Sequence, residues 1–139
     1  MLTYLLDTNA WIHANRHPAG PVARRLFLAA DRLQVVVSDV VRGELLEGAY
    51  LSRDVTGGLT KITGRLSPYP SLPFDHRVAD AYARTRAHLR LVGTPIGPID
   101  TAIAATALVR GCTVVTHNRK HFDLVPGLAV EDWEAEPGS

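Results

Sequence analysis

The sequence predicts an α/β domain built on a mostly parallel sheet, and two observations carry that prediction. Short apolar runs alternate with longer stretches of helical periodicity, the order in which a parallel sheet and its helical crossovers are laid down. At 139 residues the chain has the length of one domain with one core, and it carries no internal repeat, low-complexity segment or linker.

The first apolar run, Leu2 to Leu6, reads as a buried strand. It ends on Asp7 and hands over to Thr8 and Asn9, so a carboxylate stands where the strand stops, either as a cap for a following helix or as a working group. Pro21 to Arg32 opens after Gly20 and carries Val22, Leu26, Ala29 and Ala30 at helical spacing. Leu33 to Val37 is the second strand, and Ser38 is a good N-cap for a helix over Asp39 to Leu51. Asp54 to Leu66 is helical in pattern but contains Gly57 and Gly58, and a strand fragment lies near Leu72 to Phe74. Asp75 to Leu91 is a long amphipathic helix with Val78, Ala79, Tyr82 and Leu89, stopped by Gly93 and Pro95. Ile99 to Arg110 begins just after Pro98 and ends at Gly111, the usual asymmetry of helix ends. Thr113 to Thr116 and Leu128 to Val130 supply the last strands, and residues 134–139 form a tail expected to fray.

Hydrophobic residues make up 46% of the chain and charged residues 21%, a globular balance. A formal net charge of +1 does not announce a nucleic-acid partner, although thirteen of the fifteen basic residues are Arg, the better bidentate ligand for phosphate. The single Cys112 excludes a disulfide framework within the chain and fits a reducing compartment. No apolar run approaches the roughly 20 residues that span a bilayer, and the start lacks the pattern of a secretory signal. A cytoplasmic protein without a membrane partner is expected.

Ligands of open parallel sheets gather at the carboxyl ends of the strands. Asp7 would stand there, and so would Thr116 and Asn118 in VVTHN. Glu44 follows Val40 and Val41 at helical spacing, with Gly48 and Leu51 continuing the stripe; a glutamate on an apolar flank needs a cation, a donor or a metal. Glu47 lies off that stripe and should be solvated. Asp100 sits in the first turn of its helix, where it complements the dipole, but it shares a face with Ile103, Ala104 and Ala107, which points it inward. These carboxylates, with a carboxamide and the hydroxyls of Thr8 and Thr116, come without a matching set of His or Cys. Oxygen donors of this kind suit Mg²⁺ or Mn²⁺, which bridge carboxylates to phosphate oxygens. His117 and His121 are four apart, a spacing that zinc uses on helices, but the segment is short and no third ligand is placed with them. Trp11 and Trp133 read as packing groups and Tyr82 as core or dimer interface.

Four stretches, LLDTNAWI, VVVSDVVRGELLEGA, PFDHRVADAYARTRAHLRLVGTPIGPIDTAIAATAL and GCTVVTHNRKHFDLVPGLAVEDW, resemble in order the PIN-domain ribonucleases, and within them the VapC toxins of bacterial type II toxin-antitoxin modules. The resemblance implies one PIN domain over residues 1–133, an α/β/α sandwich that hydrolyses RNA with Mg²⁺ or Mn²⁺ to leave a 5′-phosphate and a 3′-hydroxyl. It assigns Asp7 and Asp100 as principal metal ligands and Glu44 as a ligand or as the group that orients the attacking water. Thr8 and Thr116 match hydroxyl positions beside them, and Asn118 matches a fourth position that is acidic in many members. Many relatives with Asn there carry an acid just before the motif's Phe, where this chain has His121 before Phe122, so the fourth carboxylate is absent from both places. Asp123 is near in sequence but lies beyond Phe122. Arg42, Arg119 and Lys120 adjoin site residues and would either contact phosphates or remain solvated. The family also implies a VapB-type antitoxin whose C-terminal segment lies along a groove and blocks the acidic site, and a homodimer formed through helices. A phosphoacceptor module would need adjacent acids on the first strand and a strand-end Lys, and has neither here; a PIN fold reduced to binding RNA or protein is the other reading.

Overall fold

The computed structural model describes residues 2–28 and 34–135. Within them the chain runs β1 (Tyr4–Leu6), α1 (Thr8–Arg16), α2 (Pro21–Leu28), β2 (Val35–Ser38), α3 (Asp39–Tyr50), α4 (Val55–Leu66), β3 (Ser71–Leu72), α5 (His76–Leu91), α6 (Pro98–Arg110), β4 (Thr113–Val115), α7 (Arg119–Phe122) and β5 (Val130–Glu131). The sheet order is β3, β2, β1, β4, β5, and every pairing is parallel. Each residue of β2 and β4 is buried. Successive strand residues point to opposite faces, so continuous burial means that helices cover both faces, which is the α/β/α sandwich expected. The core gathers Leu5, Leu6, Val35, Val37, Val114 and Ile103 around the sheet, with Leu66 and Phe122 reaching it from α4 and α7.

Strand bounds differ from the sequence reading by at most two residues, because pairing rather than hydropathy decides where a strand begins. Leu2 is 61% exposed, and β1 begins only at Tyr4, which pairs with Val35 and Thr113. The fragment near Leu72 becomes Ser71–Leu72, fixed by its register with Val37 and Ser38. The second helix is described to Leu28; residues 29–33, where its end and the start of the second strand were expected, and 136–139 of the tail lie outside the described residues.

Hydrophobic periodicity does not mark two of the helices. α1 buries only Ala10, Trp11 and Ala14, and Asp7 starts it as its N-cap. α7 is a single turn, held down by the fully buried Phe122. α4 passes through its glycine pair without a break, since a Cβ on Gly58 would come within 3.2 Å of the Ala49 Cβ, and its absence allows α4 to approach α3. α6 buries every residue from Thr101 to Ala107 and ends on Gly111, whose φ of 67° is the left-handed cap that glycine accepts without strain.

One expectation about α3 is corrected. Its buried face is Val41, Leu45 and Ala49, one residue away from the stripe through Val40, Glu44, Gly48 and Leu51. Gly48 has no side chain to bury, and Leu51 is the C-cap and 79% exposed, so the row leans toward Leu45. Glu44 is therefore half-buried on the flank, and Glu47 is exposed as expected.

The strand order places a topological switch between β1 and β4, since the chain leaves β1 toward β2 on one side and later fills β4 on the other. The crevice beyond the carboxyl ends of two such strands is where open α/β sheets hold ligands, and Asp7 and Thr116 end these two.

Asp75 tests how much a cap contributes here. Its Oδ1 accepts the N–H groups of Val78 and Arg77, each at 3.1 Å, and its Oδ2 lies 2.9 Å from Arg110 Nη2. The Val78 bond first, and Arg110 with it, holds the carboxyl below its ordinary 3.8. The stabilisation is full above that ordinary value and is lost as the pH falls through the lower value of the folded chain. Asp75→Ala should lower the melting midpoint at pH 7 by circular dichroism, Asp75→Asn should lower it less because Asn still caps, and the deficit of the Ala variant should shrink in acid.

Candidate active site

Asp7 extends the β1 ladder by one bond, its N–H donating to the Val115 carbonyl at 3.0 Å. The side chain is only 5% exposed, and each of its oxygens has a partner: Oδ1 accepts the Ala10 N–H at 2.8 Å and Oδ2 accepts the Thr116 hydroxyl at 2.6 Å. The first bond caps α1, so Asp7 is a cap and also a lining group of the pocket at the strand ends. The Thr116 hydroxyl in turn accepts the Asn118 N–H at 2.9 Å, which fixes the turn leaving β4. Burial pushes the Asp7 carboxyl above its ordinary 3.8; the Thr116 and Ala10 bonds oppose that shift, and the negative charges of Asp100 and Glu134 add to it.

Glu44 is brought from α3 and accepts the Thr8 hydroxyl on Oε1 at 2.5 Å. Asp100 comes from the first turn of α6, and its Oδ2 lies 3.0 Å from His121 Nδ1 and 3.5 Å from Asn118 Nδ2. Asp7, Thr8, Glu44 and Asp100, with Ile99 and Ile103, line one pocket of about 180 Å³. The sequence-predicted acids are thus brought together, with Thr8 and Thr116 as their hydroxyl partners and Asn118 at the rim against Asp100.

His121 holds the position where the resemblance implies a fourth carboxylate. His121 Nδ1 stands between Asp100 and the Asn118 amide, 2.9 Å from its Nδ2. A proton on Nδ1 serves Asp100 and a lone pair there serves Asn118, so the ring satisfies one neighbour at a time. Asp123 does not substitute, because it pairs with Arg119 at 3.1 Å on the exposed side of α7. Arg119 also donates to the Val130 carbonyl, and Arg42 donates to Ser71 Oγ at 2.7 Å, so neither lines the pocket. Lys120 is exposed.

The two histidines that the sequence places four apart go separate ways. His117 turns to Asp132 and Glu134, residues that spacing could not have linked to it. Trp11 and Trp133 are buried packing groups, Trp11 tilted against Tyr69 and Trp133 edge-on to Tyr4. Tyr82 packs on the small cluster of Val78, Ala81 and Ala105, edge-on to Phe74.

The donor set of the pocket fits a hard divalent cation. Among the described residues no Lys or Arg pairs with Asp7, Glu44 or Asp100, so three carboxylates share a small pocket in which the His121 ring stands against Asp100 alone. The three do not all approach within 4.8 Å of one another; among the described residues only His117, Asp132 and Glu134 do. The pocket therefore suits an ion that retains part of its water, as Mg²⁺-type ions do, better than one gripped by all three acids.

The chain is similar to known proteins over nearly its whole length. The PIN domain model matches residues 4–128. The tRNA(fMet)-specific endonuclease VapC of Salmonella typhimurium is 35% identical over 133 residues, covering 96% of this chain and 99% of its own. Ribonuclease VapC2 of Rickettsia felis is 31% identical over 134 residues, with 96% and 99% covered. A crystal structure of DNA-bound VapBC from Salmonella typhimurium superposes with a TM-score of 0.88 at 34% identity, covering 96% of this chain and 99% of that one.

Because folding raises the Asp7 carboxyl above its ordinary value, ionised Asp7 destabilises the metal-free chain, and its stability falls as the pH rises from 3.8 through the folded-state value. Asp7→Asn, melted in EDTA, should be more stable than the parent at pH 7 and should lose that advantage in acid. Equal midpoints at pH 7 would show that the two hydrogen bonds fully offset burial.

Proposed function

The chain belongs to the PIN-domain family and, within it, to the VapC ribonucleases, and on that premise we propose that it is the toxin of a type II toxin-antitoxin pair, an endoribonuclease that hydrolyses RNA phosphodiester bonds in its acidic pocket with Mg²⁺ or Mn²⁺. The observation that carries the proposal is the meeting of Asp7, Glu44 and Asp100, from three separate elements, at the switch point of a parallel sheet with no Lys or Arg beside them. PIN nucleases depend on divalent metal, and an ion held by Asp7 and Asp100 would supply Lewis acidity and activate water at neutral pH.

The chain's own residues would divide the remaining work. Asp7 cannot swing, since the Ala10 N–H and the Thr116 hydroxyl fix both oxygens, and their remaining lone pairs give ligand positions that need no reorganisation. Glu44 is steadied through Oε1 by Thr8, which leaves Oε2 to accept a proton from the attacking water. Attack by water at phosphorus with departure of the 3′-oxygen leaves a 5′-phosphate and a 3′-hydroxyl. Asn118 and Thr116 hold the edge of the site, and the Asn118 amide helps to orient Asp100.

A partner surface adjoins the same acid. A groove of about 410 Å³ runs between α1, α3 and α4, lined by Ile12, Leu45, Ala49 and Ile62, with Arg16 and Glu44 among its polar groups. A VapB-type antitoxin segment would lie there, with its apolar residues against the floor, and would close the pocket at Glu44. A homodimer through helices is expected from the family, no described helix is long and apolar enough to cross a membrane, and cytoplasmic placement follows from the RNA substrate.

The purified antitoxin-free chain should be incubated with pooled cellular RNA, and separately with initiator tRNA, the substrate for which the Salmonella relative is named. Discrete cuts bearing 5′-phosphates are expected in Mg²⁺ or Mn²⁺, abolished by EDTA and reduced roughly 100-fold or more in Asp7→Asn and Asp100→Asn. RNA binding without cleavage in either metal, by protein that melts cooperatively, would instead identify a PIN fold reduced to a binding module.

A further inference from the structure

Beside the acidic pocket lies a second set of converging donors. His117 leaves the end of β4, and the segment after β5 brings Asp132 and Glu134 to it. His117 Nδ1 is 2.9 Å from Asp132 Oδ2 and 3.7 Å from Glu134 Oε2, and one ligand atom from each of the three falls within 4.8 Å of the others. A four-coordinate ion with bonds of about 2.1 Å holds its donors roughly 3.4 Å apart, and the two measured separations bracket that spacing.

The second oxygen of each carboxylate is tied elsewhere. Asp132 Oδ1 accepts the Glu134 N–H at 2.9 Å, and Glu134 Oε1 lies 3.3 Å from His13 Nε2 on α1. Each acid is thus oriented through one oxygen and presents the other to His117, the arrangement by which outer partners aim metal ligands. An isolated surface ion pair would need one carboxylate against the imidazole; this cluster has two, both oriented, with the histidine itself mostly open to solvent.

We propose that His117, Asp132 and Glu134 form a binding site for one divalent transition-metal ion of the Zn²⁺ class, distinct from the acidic pocket, with His13 as the residue that positions Glu134. The donors differ in kind from those of the pocket: an imidazole nitrogen with two carboxylate oxygens favours Zn²⁺ over Mg²⁺, whereas oxygen alone favours the reverse. The open side of His117 leaves room for water at the remaining position. An ion there would fasten the segment after β5 to the end of β4, adjacent to Thr116 and Asn118.

The test uses the full chain with any affinity tag removed and with Asp7→Asn and Asp100→Asn present, so that the pocket does not compete. Zn²⁺ alone should bind with one equivalent in equilibrium dialysis and raise the melting midpoint, and Co²⁺ should give a visible absorption band that Zn²⁺ displaces. Adding His117→Ala, or the near-isosteric Asp132→Asn, should weaken binding about tenfold or more and remove the band and the midpoint rise, while circular dichroism shows both variants folded. No stoichiometric binding, or binding that neither added substitution weakens, would overturn the proposal.

Discussion

The site is organised around keeping one carboxylate buried at the end of β1. An unpaired acid in that position would be costly, and Asp7 is retained because two donors from different parts of the chain reach it. One is the first turn of α1, whose free N–H needs an acceptor; the other is the hydroxyl at the end of β4, more than a hundred residues away in sequence. The same two bonds that make the burial tolerable set the direction of α1 and lock β4 beside β1. Thr8, the first residue of α1, is thereby placed to hold Glu44.

The remaining acids depend on packing rather than on hydrogen bonds alone. α6 can bury every residue from Thr101 to Ala107 because all but Ile103 are alanines and threonines, and its first turn then comes close enough to the strand ends to carry Asp100 into the pocket. The rim is set by a different device. Phe122 inserts fully into the core, and the single turn it anchors carries Asn118 and His121 against Asp100. Truncating Phe122 would cost about 3 to 5 kcal/mol by analogy with other large-to-small core changes, and it would free both polar neighbours at once.

The parallel sheet was legible because its apolar runs alternate with helical stretches; Asp7 was legible at a strand end, Asp100 in the first turn of a helix, and Glu44 through its helical spacing from Val40 and Val41. What sequence could not supply were relations between elements. α1 has too few apolar residues for periodicity to reveal it, and its strongest signal is the capping role of Asp7. Glu44 reaches the pocket from the flank of α3 rather than from the buried row that its neighbours suggested. The contact of His121 with Asp100 and the convergence of Asp132 and Glu134 on His117 join residues 15 to 21 apart through turns whose direction no local pattern encodes. Helical spacing paired His117 with His121, and the turn after β4 separates them.

The long reach of the Thr116–Asp7 bond also sets a timetable. The two residues are 109 positions apart, and Tyr4 at the start of β1 pairs with Thr113. Parallel pairing over such a separation is slow to form, and synthesis at about 5 to 20 residues per second means that Asp7 exists for roughly 5 to 20 s before its partner has been made. During that interval β1 has no β4 beside it, and α6 with Asp100 is made only shortly before Thr116. The acidic pocket can therefore assemble around Asp7 only after the ribosome has passed both Asp100 and Thr116.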